Sequence, residues 1–253
     1  MDLLGVIKIK LIINADDFGY SKAVNYGIIE GHKDGIVTST TLITNMPDAE
    51  HAVSLCKESP NLGVGIHLVL TAGKPVNKDV PSLVDEKGYF KRKYNKKENI
   101  NLEDVRKEFK SQMERFLSFG FMPTHIDSHH HIHFNSNILP IIVDIAREYD
   151  LPIRFTKEKL NNKGYKDVKS VEYFTDEFYG KNLSLEKFEN ILKNNERYKS
   201  MDIMCHPGYL DQNLMLDSSY NIERTNELEI LTNPEIFEII EKYNINLINY
   251  KEL

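Results

Sequence analysis

Two neighbouring acids and a run of histidines are the parts of this 253-residue chain best suited to chemistry. The segment Asn14-Ala15-Asp16-Asp17-Phe18-Gly19 sets two carboxylates side by side where a strand-like run gives way to a loop. Adjacent carboxylates raise each other's pKa unless a cation or hydrogen-bond donors compensate. A metal ion is the economical compensation; a cluster at a helix start, where Asp is favoured, is the alternative. The segment Thr124-His125-Ile126-Asp127-Ser128-His129-His130-His131-Ile132-His133 holds five of the nine histidines. Neutral imidazole is a common metal ligand, and clustered His beside Asp is a ligand signature. Ile126 and Ile132 mark the segment as partly buried rather than an exposed polar tract. Gly65-Ile66-His67-Leu68 places His67 inside an apolar run, where a lone histidine is more often a hydrogen-bonded core residue. In Met204-Cys205-His206-Pro207-Gly208-Tyr209, a Pro-Gly turn holds His206 at a strand exit, a position equally open to a structural role.

These residues need a scaffold that gathers them. Short β-type runs alternate with amphipathic segments, the pattern of βα units around a mainly parallel sheet. The strands expected are 10–14, 37–44, 63–70, 124–127, 153–155, 202–205 and 246–248. Helices are expected from Ser21 as N-cap to His32 with Gly35 as the stop, after Pro47, and over 102–119, 138–149, 185–192 and 234–243. The fold class that follows is α/β, a distorted or incomplete (β/α) barrel forming a single domain over 1–253. Each candidate segment falls at or near the C-terminal end of an expected strand, and in such a barrel those ends meet on one face. Segments 71–101 and 156–182 break the alternation and read as binding loops or lids.

Net charge is −6, from 38 acidic and 32 basic residues, so there is no strong positive field for a phosphate backbone. Nucleic acid is excluded as an expected partner. No run of about 20 apolar residues offers a membrane span. The apolar stretch 3–13 is interrupted by Lys8 and Lys10 and reads as a first strand rather than a secretory signal, so a cytoplasmic location is expected. Cys56 and Cys205 cannot make a disulfide framework and read as buried apolar residues.

Taken in order, NADDFG, GIVTST, GIHLVLTAGKPV, PTHIDSHHHIH and CHPGYLD, spread between Leu11 and Asp211, resemble the YdjC/ChbG family of carbohydrate deacetylases. The resemblance implies a distorted barrel, usually dimeric, that removes N-acetyl groups from small sugars such as di-N-acetylchitobiose. It implies Asp17, His67 and His129 as ligands of one divalent metal, Asp16 as catalytic base and His206 as general acid. Mg²⁺ comes with the resemblance, whereas two imidazoles and a carboxylate would also suit Zn²⁺. Asp127 or Asp16 is expected to orient an imidazole from behind. Three alternatives stay open at this level: a phosphoesterase or an amidohydrolase, often with two metals, using His130, His131 or His133, and a non-catalytic sugar- or metal-binding protein. No role follows from sequence for His125. Phe18, Tyr20, Phe134 and Tyr209 fit sugar stacking or core packing alike, and Lys74, Lys91, Arg92 or Lys93 leave room for a basic pocket.

Overall fold

The computed structural model describes residues 8–91 and 100–253. Along the chain run β1 (Ile9–Phe18), α1 (Lys22–Lys33), β2 (Ser39–Leu42), α2 (Ala49–Lys57), β3 (Gly63–Leu68), α3 (Leu102–Ser118), β4 (Ile126–Ser128) and α4 (Leu139–Tyr149). There follow α5 (Lys157–Asn162), β5 (Tyr173–Thr175), α6 (Leu185–Asn195), β6 (Ser200–Cys205), α7 (Gln212–Asp217), α8 (Ile222–Thr232), α9 (Glu235–Lys242) and β7 (Ile245–Leu247). The strands join in the order β4-β3-β2-β1-β6-β5, with β7 against the start of β1, and every pairing between them is parallel. The expected distorted, incomplete barrel is what forms.

Apolar alternation and caps explain most elements. Ser21 accepts the Val24 N–H at the start of α1, Asn101 accepts from Glu103 and Asp104 in α3, and Ser184 accepts from Lys187 in α6. The apolar stripe of α3, with Val105, Phe109, Met113 and Phe116 fully buried, packs on the sheet.

Four expectations need correction. Residues 153–155 make one bridge, Ile126 to Ile153, rather than a strand. Their amides serve two neighbours: Arg154 N–H donates to the Ile126 carbonyl and Ile153 N–H to that of Lys169, so this connection spans the gap between β4 and the approach to β5 without a regular ladder. Gly35 is no left-handed stop, since α1 ends through Asp34 in right-handed geometry. Gly35 is small because the Leu231 carbonyl oxygen stands 2.3 Å from where a Cβ would be. Segment 156–182 is not irregular but carries α5 and β5. Asp16 and Asp17 lie within β1, not in a loop after it.

Segment 71–91 is held by Glu108, whose two oxygens accept the Val76 and Asn77 N–H groups at 3.0 and 2.9 Å. Residues 1–7, with the start of the apolar stretch 3–13, and Arg92 and Lys93 lie outside the described residues. Among the described residues no helix is long and apolar enough to cross a membrane.

The C-terminal tail fills the barrel floor. Tyr250, fully packed away, stacks on His125 at 3.7 Å between centroids and donates its hydroxyl to Asp202 at 2.5 Å. Gly65 makes that stack possible, because a Cβ there would sit 2.5 Å from the His125 ring. Burial keeps His125 well below the ordinary histidine range, so it is neutral, and it joins neither candidate ligand group among the described residues.

Candidate active site

The mouth of the barrel is built on an irregularity in β1. Asn14 and Ala15 pair with Ser39 and Thr40, but the register slips between Ala15 and Phe18, where Asp17 takes φ 70°. In a regular strand Asp16 and Asp17 would face opposite sides. The bulge turns both carboxylates inward, and Asp is among the few residues that enter the left-handed region readily.

Asp16 is locked by an arginine. Arg154, with no exposed surface, donates from Nη2 to Asp16 Oδ1 at 2.7 Å and from Nη1 to Oδ2 at 2.8 Å, while Asn14 Nδ2 donates to Oδ1 at 3.0 Å. The same guanidinium reaches Asp127 Oδ2 at 2.8 Å and Asp202 Oδ2 at 3.0 Å. Burial would raise the Asp16 pKa, but Arg154 outweighs it and holds the carboxyl well below the usual range. Asp202 moves the other way, pushed up to about 6 by burial against the pull of Arg154.

Asp17, His67 and His129 converge beside it, with one ligand atom from each within 4.8 Å of the others. Asp17 Oδ1 lies 2.8 Å from His129 Nδ1 and 3.5 Å from His67 Nε2, and Asp17 Oδ2 accepts from Arg224 at 2.5 Å. On the adjacent strand, in register with His67, Asp127 Oδ1 accepts the hydrogen bond of His67 Nδ1–H at 2.6 Å and so leaves Nε2 turned to Asp17. The expected orienting carboxylate is therefore Asp127. Burial depresses the His67 imidazolium, but Asp127 and Asp17 prevail and push its pKa up to about 10. A ring whose surroundings favour positive charge this strongly, next to a second imidazole on the same oxygen, suits a divalent cation with a two-nitrogen, one-oxygen donor set.

His206 follows Cys205, which pairs with Ala15, so it stands beside Asp16 on the neighbouring strand. Its Nδ1 is buried without a hydrogen-bond partner among the described residues. Burial lowers its pKa to about 3, against the upward pull of Asp16 and Asp17.

Residues that sequence reasoning missed complete the frame. Arg154 and, from α8, Arg224 and Glu227 are buried ionisable residues. Arg224 grips Asp17, while one turn later Glu227 accepts the His206 backbone N–H and the Tyr220 hydroxyl. One signal was available: Arg224 and Glu227 stand three apart, on one helical face. Burial pushes Glu227 up to about 8. A carboxyl raised in the folded state binds more protons than in the unfolded chain, so its stabilising effect is complete below its ordinary pKa and fades as pH rises towards 8. Urea unfolding at pH 5, 6.5 and 8 should thus show wild type losing stability relative to Glu227→Gln as pH rises; parallel curves would refute this.

The spare histidines divide. His133, buried, shares its Nδ1 with Ser128 Oγ at 2.5 Å and packs on Phe134 and Phe155. His130 meets Thr71 Oγ1 at 2.9 Å, and His131 stacks on Phe134; both have left-handed backbones, φ 54° and 53°. None joins the ligand cluster. Of the aromatics considered for stacking, Phe18 is fully buried and belongs to the core. Lys74 is exposed over the Tyr89 ring.

The profile of the YdjC-like protein family matches residues 10–242. The chain belongs to the YdjC-like family. A relative from Clostridium beijerinckii, named carbohydrate deacetylase, is 51% identical over 96% of this chain and all of its own. A chitooligosaccharide deacetylase of Proteus mirabilis is 40% identical, covering 96% of this chain and 98% of that one. A crystal structure from Enterococcus faecalis, described as a candidate cellobiose-phosphate cleavage protein, superposes with TM-score 0.91 at 40% identity, covering 97% and 98% of the two chains. Carbohydrate deacetylase function is what this membership supports.

Proposed function

We propose that the chain is a metal-dependent deacetylase that hydrolyses the N-acetyl group of small acetylated sugars, di-N-acetylchitobiose among them, and releases acetate. The observation that carries this reading is the cluster of Asp17, His67 and His129 flanked by a locked carboxylate and a half-buried imidazole. A divalent ion bound there, Mg²⁺ by family or Zn²⁺ by donor chemistry, would polarise the amide carbonyl and acidify water. Asp16 takes the proton of the attacking water. Arg154 fixes both its oxygens in place, and Oδ2, with one donor on it, keeps a lone pair for the proton. A carboxylate held this acidic is a base for acidified water rather than for bulk water. His206 is neutral at rest; the charge of Asp17, and that developing on the amide, favour its gaining the proton that Asp16 took from the water and passing it to the departing amine, which returns Asp16 to the carboxylate as the C–N bond breaks and acetate forms.

A two-metal phosphoesterase or amidohydrolase fits less well. The only other candidate group among the described residues, Asp16, His67 and Asp127, shares His67 with the first, and both its carboxylates are already paired with Arg154. A cytoplasmic homodimer working in oligosaccharide degradation belongs to the same reading.

The test is acetate release from di-N-acetylchitobiose by metal-stripped protein, with Mg²⁺ and Zn²⁺ added back separately. We expect release to return with at least one ion. No release from any acetylated sugar with either ion would overturn the reading.

A further inference from the structure

Beside His206 the barrel mouth carries an aromatic surface that the proton transfers above do not use. Tyr179 and Tyr220 stack with centroids 4.1 Å apart and planes at 16°, and His206 stands edgewise to both, at 5.2 and 5.6 Å. The two tyrosines are not equivalent. Tyr220 is 9% exposed, and its hydroxyl donates to Glu227 and accepts the Gly180 N–H at 3.0 Å. Tyr179 is 44% exposed. Tyr220 thus braces one face of Tyr179 and, through Gly180, fastens the loop that carries it, while the opposite face stays open. Of the other exposed aromatics, Tyr209 donates its hydroxyl to Glu30, Tyr26 packs on His51, Tyr89 lies under Lys74, and Phe134 stacks on His131; none of these contacts is with His206.

In a 2-acetamido sugar the pyranose ring is one bond from the nitrogen that His206 must protonate. The ring therefore rests against whatever surface flanks His206. A pyranose has an apolar face of C–H groups and a hydroxylated edge, a shape that lies flat on an aromatic ring while its hydroxyls stay in water. Resting on the deacetylase reading, we infer that the open face of Tyr179 is the platform on which the acetamido-bearing pyranose ring stacks, which makes Tyr179 a specificity-determining residue. The selected substrate class is then a cyclic acetamido sugar rather than any N-acetyl amine.

Two measurements test this. In steady-state kinetics on di-N-acetylchitobiose, Tyr179→Ala should raise KM by ~10-fold, with kcat changed by less than about threefold, and Tyr179→Phe should restore KM to within about twofold of wild type. Calorimetric binding of the same disaccharide to the metal-loaded protein in an Asp16→Asn background should weaken by a similar ~10-fold factor when Tyr179→Ala is added. An unchanged KM and affinity in Tyr179→Ala, or a fall in kcat alone, would overturn the inference. Failure of the parent reading looks different: wild type would release no acetate at all, and the binding comparison would still decide whether Tyr179 holds the sugar.

Discussion

Replacing Asp16 with Asn lowers kcat by roughly 10²- to 10⁴-fold, the range expected when a positioned base is removed. The substitution keeps the shape of the side chain and one acceptor for Arg154, while Asp127 and Asp202 still neutralise that guanidinium. Metal affinity should survive, because the facing atoms of the ligand cluster belong to Asp17, His67 and His129. Single-turnover acetate release, read beside a thermal melt of the same sample, separates loss of the base from loss of the fold. Full activity in a folded Asp16→Asn protein would show that another group takes the proton; undiminished sugar binding with no turnover in wild type would favour a binding protein instead.

Replacing Arg154 with Met is expected to destabilise the fold by about 3–5 kcal/mol at neutral pH, the penalty for stripping the partner from buried charge. Arg154 touches Asp16, Asp127 and Asp202, none of which reaches solvent appreciably, and Phe174 lies over its guanidinium. Without it three carboxylates share one dry cavity, and the cheapest relief is to take up protons. The destabilisation should therefore shrink as pH is lowered, since a carboxyl raised in the native state favours folding at low pH. Arg154→Lys keeps the charge but not the fork that spans three partners, and should fall between the two. Chemical denaturation at pH 5 and pH 7.5 measures this; a loss below about 1 kcal/mol at pH 7.5 would mean the network is not held by charge.

What was legible in the sequence was whatever depends on local pattern. The helix over 102–119 shows its apolar stripe and its cap, and the structure places α3 at Leu102–Ser118. His67, His129 and His206 stood out because a polar residue at the end of an apolar strand run contradicts its surroundings. Apolar residues suggest a strand over 153–155, yet its central position is Arg154, whose role depends on carboxylates 27 to 138 residues away in sequence, and no periodicity reveals that. Helix α8 escaped for a related reason: its inward face carries Arg224 and Glu227, so its apolar stripe is broken where it matters most. The bulge at Asp17 was likewise invisible, because register slips arise from pairing with β2 rather than from the residues of β1 alone.

If Asp17, His67 and His129 form one metal site, the stoichiometry of bound divalent ion must show it. Equilibrium titration of metal-stripped protein with Zn²⁺ and with Mg²⁺ should give one high-affinity ion per chain for at least one metal, lost in both Asp17→Ala and His129→Ala while those proteins remain folded. Two ions per chain, or one ion retained with unchanged affinity in both variants, would contradict it.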